Sequence, residues 1–308
     1  MYDLIIIGGG PAGVSAGVYA ARKRLKTLFI TKEWGGQSIV SIDIQNWIGT
    51  PSIAGDKLAN EMKNHLETYA NETVSIMSDK TVTDLKKEAD GTLTVTLDDN
   101  SNHTSQAVLI ASGSSRRKLD IKGADTFENR GVTYCASCDG PMFARQDVAV
   151  IGGGNAGFET AAQLLAYAKS VTLINRSASF KADPITIEKV LLHPNMTTIL
   201  NATPTEIIGD KFVSGLRYST TTGSLKEISV TGIFVEIGMI PNTVYAKNVT
   251  DLDAYNRIII DPWTQKTNTA GIWAAGDCTN IHYHQNNISA GDGVRALEDI
   301  YVTLKTRI

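Results

Sequence analysis

"LIIIGGGPAG", residues 4–13, begins with four apolar residues and continues directly into Gly8, Gly10 and Gly13. This pattern predicts a buried strand, a tight turn and a helix in succession. The first glycine makes the turn, the second lets the backbone approach a pyrophosphate, and the third lets the helix pack on the strand. The free N–H groups at the helix start then face the phosphates, so the stretch predicts dinucleotide binding.

The same pattern occurs a second time, 144 residues later. "VAVIGGGNAG" (148–157) repeats the glycine spacing, and "VTLIN" (171–175) falls on the position of "TLFIT" (27–31). Each copy therefore reads strand, glycine turn, helix, strand, which is the right-handed unit that opens a doubly wound sheet. We predict an α/β protein with two doubly wound, Rossmann-like dinucleotide-binding domains.

The residues after the second strand differ between the two copies. Glu33 follows Gly13 at the distance where an acidic side chain accepts hydrogen bonds from a ribose hydroxyl. The equivalent position in the second copy is Ser177, with Arg176 before it and Lys181 close behind. An acid would repel a 2′-phosphate, whereas these residues would bind one. We predict a free ribose in the first domain and a phosphorylated one in the second, the alternative being that both cations are solvated surface charges.

Two later apolar strands end in small residues, "AVLIASG" (107–113) and "GIWAAGDC" (271–278). A strand that ends in this way brings backbone atoms, and in the second case one carboxylate, close to a bound cofactor. Because the second of these strands returns to the pattern of the first domain, we expect the second domain to be inserted into the first. The predicted domains are residues 1–115 with 247–308, and residues 116–246.

A close cysteine pair, Cys135 and Cys138, lies in the second domain. Such a pair can bind zinc, serve as a structural element, or alternate between dithiol and disulfide. Zinc needs about four ligands, and the remaining candidates are Cys278, which is expected to be a small buried residue, and the pair His282 and His284. We favour redox chemistry and predict no metal site, because nucleotide-binding units beside the pair supply electrons.

The redox interpretation implies a flavin. A thiol pair does not take hydride from nicotinamide efficiently without an intermediary, and a flavin both accepts hydride and reduces a disulfide. Two dinucleotide sites and one dithiol therefore match FAD, NAD(P)H and a disulfide.

Composition excludes several other classes. The 308 residues are 42% hydrophobic and 20% charged, with a formal net charge of −3, which is typical of a soluble globular protein. The charge gives no reason to expect nucleic acid or an anionic membrane as partner, and no apolar run reaches membrane-spanning length. The start reads as a first strand and not as a signal peptide, and three cysteines do not form a secreted disulfide framework. We expect a cytoplasmic location.

The chain resembles the low-molecular-weight thioredoxin reductases and, almost equally, the C-terminal flavoprotein part of the alkyl hydroperoxide reductase flavin subunit. The resemblance covers nearly the whole chain. It rests on "GGGPAG", "GGQ", "IQNW", "CASCDG", "GGGNAG", "AAGDC" and "YHQNNISAGDG" in that order. It implies FAD on the first glycine turn, NADPH or NADH on the domain that carries the cysteines, and a homodimer.

The resemblance also implies roles for individual residues. Cys138 would face the flavin, Cys135 would attack the partner disulfide, and Asp139 would be the acid that handles protons. The residues expected to bind FAD are Gly8, Gly10, Pro11, Ala12, Gly13, Glu33, Gly36, Gln37, Asn46, Gly113, Asp277, Gln285 and Asn286. The residues expected to bind NAD(P)H are Gly152, Gly154, Asn155, Ala156, Gly157, Arg176, Ser177 and Lys181.

The chain departs from the thioredoxin reductases at some positions. A His-Arg-Arg run is usual where this chain has Asn175, Arg176 and Ser177, so we expect an incomplete preference for NADPH. Asn286 and Asn287 stand where apolar residues are common near the flavin, and the sequence offers no account of them. "GIFVEIGMIPNT" and "AGDCTN" resemble the peroxide-reductase branch, whose longer members carry an N-terminal thioredoxin-like extension.

Because the chain begins at the flavin domain, we expect it to pass electrons to a separate thioredoxin or a thioredoxin-like or glutaredoxin-like carrier. The leading hypothesis is a flavin-dependent disulfide reductase, that is, a thioredoxin-disulfide reductase. The alternatives are a reductase of a peroxiredoxin-linked carrier, a flavin thioredoxin reductase fed by ferredoxin, and a redox sensor that merely holds FAD.

Overall fold

The computed structural model describes residues 1–41 and 43–305. Of Val40 it describes the backbone only. The chain forms two compact units, Met1–Ser115 with Ile240–Ile308, and Arg116–Met239. The second unit ends at Met239, whereas the sequence predicted that it ends at residue 246. The boundary lies earlier because Ala246 is packed in the core of the first unit. None of the helices among the described residues combines the length and apolar character that crossing a bilayer requires.

The elements run as follows along the chain. The first stretch contains β1 (Tyr2–Gly9), α1 (Pro11–Arg22), β2 (Thr27–Trp34), α2 (Gly55–Ala70), β3 (Val74–Met77), β4 (Val82–Lys87), β5 (Leu93–Leu97), β6 (Asn102–Ile110) and β7 (Ser114–Arg116). The middle stretch contains β8 (Val132–Thr133), α3 (Ala136–Asp139), β9 (Asp147–Ile151), α4 (Asn155–Leu165), β10 (Ser170–Ile174), α5 (Pro184–Leu191), β11 (Met196–Ile199), β12 (Ala202–Gly209), β13 (Val213–Thr220), β14 (Leu225–Ile228) and β15 (Gly232–Val235). The last stretch contains β16 (Met239–Pro241), β17 (Ile272–Ala274) and α6 (Asn286–Lys305). Short 3₁₀ helices cover Gly36–Val40, Gly140–Phe143 and Val244–Ala246.

The first unit is built on a sheet with the order β3-β2-β1-β6-β5-β4. The strands β3, β2, β1 and β6 run parallel, and β5 and β4 continue the sheet as an antiparallel hairpin. β17 pairs in parallel with the last part of β6, where Ala274 lies opposite Ile110. The register also places Ile7 opposite Ile110, so the carboxyl ends of β1, β6 and β17 meet at one edge.

Both faces of this sheet are buried because successive residues of a strand point to opposite faces. On β1, Leu4 and Ile6 belong to a core shared with α1, α2 and α6. Ile5 and Ile7 belong to a second core, shared with β4, β5 and residues such as Ile258. Burial on both sides explains why the strand reads as a continuous apolar run and not as an alternating one.

The second unit repeats this plan on a smaller scale. Its parallel sheet has the order β11-β10-β9-β15-β8, and an antiparallel sheet of β12, β13 and β14 accompanies it. On β9, Val148 and Val150 pack on the side of α4, whereas Ala149 and Ile151 pack on the opposite side. β7 and β16 form a separate two-stranded sheet. The predicted fold class is confirmed.

Candidate functional site

The first glycine turn has no room for side chains at two of its glycines. Gly8 has a φ of +123°, and a Cβ there would lie 2.1 Å from the carbonyl oxygen of Ala111. A Cβ on Gly13 would lie 1.8 Å from the carbonyl oxygen of Gly8. At Gly10 the nearest atom to such a Cβ is the Cα of Gly36, at 3.9 Å, so this face of the backbone is open.

The helix that follows this turn begins without a side-chain cap. Pro11 is the first residue of α1, and Gly10 at the N-cap offers no side-chain acceptor to the first N–H groups. Ala12 is buried, because the backbone of α6 approaches α1 closely enough that a Cβ on Gly293 would lie 2.0 Å from the Ala12 carbonyl oxygen. The free helix end and the open glycine face together can hold a phosphate group.

The end of β2 lies beside the same turn. Glu33 is exposed, and its carbonyl oxygen accepts a hydrogen bond from the Thr31 hydroxyl at 2.5 Å. The N–H of Gly35 donates to the carbonyl oxygen of Gly9 at 2.8 Å, so the segment after β2 is tied to the turn. Gly36 and Gln37 begin the 3₁₀ helix that follows. The structure thus brings Glu33 to the edge where the sequence predicts the adenosine ribose.

The other strands at this edge contribute Gly113 and Asp277. Gly113 has a φ of +63°, and a Cβ on it would meet nothing within 4 Å. Asp277 follows β17, and its Oδ1 accepts a hydrogen bond from the Ser289 hydroxyl of α6 at 3.1 Å. Because β6 and β17 are parallel neighbours, both residues lie at the carboxyl edge of the sheet.

Amide side chains at the start of α6 form hydrogen bonds with two loops. The Ser38 hydroxyl donates to Oδ1 of Asn286 at 3.0 Å, and Asn46 Nδ2 donates to Oε1 of Gln285 at 3.3 Å. Asn287 uses both ends of its amide: Nδ2 donates to the carbonyl oxygen of Asn46 at 2.7 Å, and Oδ1 accepts from the N–H of Ile48 at 3.3 Å. The sequence offered no account of the two asparagines. The structure supplies one, because an apolar residue could make none of these bonds.

The second glycine turn reproduces the geometry of the first. Gly152 has a φ of +128°, and a Cβ on it would lie 2.1 Å from the carbonyl oxygen of Glu236. A Cβ on Gly157 would lie 1.9 Å from the Gly152 carbonyl oxygen, whereas one on Gly154 would meet nothing within 4 Å. Asn155 and Ala156 begin α4 and are exposed, and Asn155 Oδ1 accepts a hydrogen bond from the N–H of Asp183 at 2.7 Å.

The loop after β10 is shaped by a buried amide. Asn175 donates through Nδ2 to the carbonyl oxygens of Ser177 and Ser179, at 3.0 and 2.9 Å. The N–H of Lys181 donates to the Gly153 carbonyl oxygen at 2.8 Å, which ties this loop to the glycine turn. Arg176 and Lys181 are exposed, and within the described part of the chain neither forms an ion pair with a carboxylate. Their charges are therefore accessible to a ligand.

Four features follow one another along the carboxyl edge of the second sheet. Arg176 follows β10, the Gly152 turn follows β9, Glu236 follows β15, and Cys135 lies just after β8. The strand ends are level, since Val235 pairs with Ile151 and Phe234 pairs with Thr133. Ligands of open parallel sheets bind at this edge.

The two cysteines of the second unit are disulfide-bonded, with their Cα atoms 5.3 Å apart. Both are partly buried, and the N–H of Cys138 donates to Cys135 Sγ at 3.2 Å. An N–H donor to sulfur favours the thiolate form of a cysteine over the thiol form. Cys278 is buried in the first unit, and burial raises the pKa of its thiol to about 12. No cluster of three or more potential metal-ligating side chains occurs among the described residues.

Asp139 is held by a hydroxyl that the sequence did not single out. Thr133 is buried and donates its hydroxyl to the Asp139 carboxylate, while the N–H of Cys135 donates to Thr133 Oγ1 at 3.3 Å. Burial raises the pKa of Asp139, and the Thr133 hydrogen bond and the charge of Arg116 oppose this rise. The sequence feature that could have indicated this hydrogen bond is the hydroxyl residue two positions before the first cysteine.

The structure thus groups the predicted residues into two sets. The residues expected to bind FAD lie in the first unit, and those expected to bind NAD(P)H lie in the second unit with the disulfide and Asp139.

Comparison with known proteins places the chain in a family. The model of the family described as pyridine nucleotide-disulphide oxidoreductase matches residues 2–292. A relative from Staphylococcus epidermidis, named as a component of alkyl hydroperoxide reductase, is 39% identical over 296 residues, which are 96% of this chain and 57% of the relative. A protein of Bacillus subtilis named NADH dehydrogenase is 35% identical over the same shares of the two chains. The chain thus spans little more than half the length of these curated relatives.

Solved structures give the same result. The thioredoxin reductase of Streptococcus pyogenes is 33% identical, with a TM-score of 0.90 and 99% of both chains covered. That of Giardia duodenalis is 29% identical, with a TM-score of 0.92 and 97% of both chains covered. The resemblance inferred from the sequence is therefore confirmed, and the chain belongs to the pyridine nucleotide-disulphide oxidoreductase family.

Proposed function

We propose that the protein is a flavin-dependent disulfide reductase that passes electrons from NAD(P)H through FAD and the Cys135–Cys138 pair to a thioredoxin-like carrier. The observation that carries this proposal is the carboxyl edge of the second sheet, where the disulfide and the glycine turn follow strands of the same parallel sheet. FAD, when bound, accepts a hydride from nicotinamide and delivers two electrons to a disulfide.

The first unit fits FAD in its own geometry. The open backbone face of Gly10 and the uncapped start of α1 suit the pyrophosphate, and exposed Glu33 suits the adenosine ribose hydroxyls. Asp277 and Gln285, held by Ser289 and Asn46, supply polar groups for the remainder of the cofactor. The family model supports a pyridine nucleotide and a disulfide; the choice of FAD rests on these contacts.

The cysteines carry out the transfer to the carrier. Two electrons and two protons convert the disulfide to two thiols. Cys135 as thiolate attacks the carrier disulfide, which forms a mixed disulfide and releases one carrier thiolate. Cys138 then loses its proton and attacks Cys135 Sγ as a thiolate, which releases the second carrier thiolate and restores the disulfide. The two protons that the enzyme thiols lose balance the two protons that the carrier thiolates gain. Asp139, which directly follows Cys138 in the sequence, donates the proton that a leaving thiolate needs.

The identity of the carrier is the finer part of the proposal. The solved structures named thioredoxin reductases support a thioredoxin-type carrier. The relative named as a component of alkyl hydroperoxide reductase favours a second candidate, a peroxiredoxin-linked carrier. We further propose a homodimer in the cytoplasm.

The nucleotide is expected to be NADPH in preference to NADH. Arg176, Ser177 and Lys181 follow β10, where the adenosine ribose of a dinucleotide lies, and the two cations can pair with a 2′-phosphate. The relative named NADH dehydrogenase is consistent with a preference that is not absolute.

The dithiol is tested by serine substitutions. Cys135→Ser and Cys138→Ser should each abolish NADPH-dependent reduction of thioredoxin, because either change leaves one sulfur where the exchange needs two. NADPH oxidation with an artificial quinone acceptor should persist, because it does not use the thiols. Ser137→Ala, which changes an exposed residue between the cysteines, is the matched control and should retain full activity. Carrier reduction by either cysteine variant would remove the dithiol from the mechanism.

The Thr133–Asp139 hydrogen bond is tested by a pH profile. Donation from Thr133 stabilises the ionised carboxylate, so Thr133→Val should raise the pKa of Asp139 further. Asp139 then stays protonated to higher pH, and the alkaline limb of kcat/KM for carrier reduction should move to higher pH. Thr133→Ser keeps the hydroxyl and should keep the wild-type profile. Identical profiles for the valine and serine variants would refute this role.

The phosphate-binding role of Arg176 is tested with both nucleotides. A charge-assisted contact to phosphate is strong, so Arg176→Ala should lower kcat/KM for NADPH by about ten- to a hundredfold. The loss for NADH should be far smaller, since NADH lacks the phosphate. Arg130→Ala removes an exposed arginine before β8, at the opposite edge of the sheet, and should change neither value. Equal losses for both nucleotides would identify Arg176 as a surface charge.

A further inference from the structure

One acidic residue at the carboxyl edge of the second sheet has no role in the scheme above. Glu236 follows β15, which lies between β9 with its glycine turn and β8 with its redox turn. Its N–H donates to the carbonyl oxygen of Ile151 at 2.8 Å, and its own carbonyl oxygen is the atom that excludes a Cβ from Gly152. Glu236 is therefore a direct neighbour of the glycine turn.

The order of the strands gives the direction of a bound nucleotide. Under the proposed function, the adenosine phosphate lies near Arg176 after β10 and the pyrophosphate lies at the Gly152 turn after β9. A dinucleotide that continues in this direction places its nicotinamide end beyond β9, on the side of β15 and β8. Glu236 is the acidic residue that directly follows β15.

The groups around the Glu236 carboxylate determine its pKa. The Thr160 hydroxyl of α4 donates to Oε1 at 2.8 Å, and the side chain is partly buried. Burial raises the pKa of Glu236 to about 7. The Thr160 hydrogen bond and the charge of Arg116 oppose this rise, whereas the charge of Glu159 adds to it. Arg116 also acts on Asp139 of the redox turn, so one cation influences both acids.

We propose that Glu236 faces the nicotinamide end of the bound nucleotide and that its charge sets the relative affinity for oxidised and reduced nucleotide. The oxidised nicotinamide ring carries a positive charge and the reduced ring carries none. An ionised carboxylate beside the ring therefore stabilises the bound oxidised form, and a neutral carboxyl does not. Glu236 is thus a specificity-determining residue for the redox state of the nucleotide, and it favours retention of the product as pH rises. This inference rests on the proposed nucleotide site.

Equilibrium binding to the oxidised holoenzyme tests the inference without turnover. Three probes are compared: NADP⁺, its uncharged and redox-inert tetrahydronicotinamide analogue, and adenosine 2′,5′-bisphosphate, which lacks the nicotinamide. Glu236→Gln removes the charge and keeps the shape. Glu159→Gln, a charge removal at an exposed position of α4, is the matched control. All three probes carry the 2′-phosphate, so its own titration near pH 6 is common to them.

The expected result is specific to the charged ring. From about pH 6 to about pH 8, NADP⁺ should bind the wild type more tightly relative to the uncharged analogue, because Glu236 ionises in this range. At about pH 8, Glu236→Gln should weaken NADP⁺ binding by about three- to tenfold. This loss corresponds to the attraction between the carboxylate and the charged ring, reduced by solvent screening. Binding of the analogue and of the bisphosphate should change little, and Glu159→Gln should have a smaller effect.

Other outcomes overturn the inference. If NADP⁺ and the uncharged analogue show the same pH dependence in the wild type, Glu236 does not face the ring, and this comparison needs no variant. If Glu236→Gln weakens the bisphosphate as much as NADP⁺, the residue supports the fold of the site and not the ring. If none of the three probes binds the wild type, the proposed binding of a 2′-phosphorylated nucleotide is wrong, and the inference about bound NADP⁺ fails with it.

Discussion

The structure depends on one close contact that occurs twice, between the third glycine of each turn and the carbonyl oxygen of the first. A Cβ at Gly13 or Gly157 would lie under 2 Å from that oxygen, so the helix can approach the strand only because both positions are glycine. This approach holds the start of α1 and of α4 at the carboxyl edge of its sheet, with free N–H groups directed outward. Gly10 and Gly154, the glycines predicted to approach a pyrophosphate, lie at that edge immediately before the two helices.

Four different groups lie along the carboxyl edge of the second sheet. They are a cationic loop after β10, a glycine turn after β9, an acid after β15 and a disulfide after β8. The glycine turn and the disulfide therefore lie on one parallel sheet, and Arg116 lowers the pKa of both Asp139 and Glu236. Under the proposed function, the charge of Arg116 therefore lowers the pKa of one acid beside the nucleotide site and of one acid beside the thiol pair.

Local sequence patterns predicted the features that depend on local backbone geometry. The glycine spacing, the apolar strands and the cysteine pair each have a short-range signature, so the fold class and the two turns followed from the sequence. Contacts between distant segments have no such signature. Asn287 acquires its partners only when α6 meets the loop at Asn46, and Thr133 meets Asp139 only when the redox turn folds back on β8. Glu236 was missed because its significance lies in the order of strands that are remote in sequence.

Under the proposed function, nicotinamide electrons reach the Cys135–Cys138 disulfide through the flavin. Thiol labelling of the native holoenzyme under anaerobic conditions, with iodoacetamide and peptide mass spectrometry, tests this electron path. Without nucleotide, Cys135 and Cys138 should resist labelling as a disulfide, and buried Cys278 should resist it throughout. After NADPH is added, we expect labelling of Cys135 and Cys138. If NADPH reduces the flavin while both cysteines remain unlabelled, the disulfide is not on the electron path and the proposed function is contradicted.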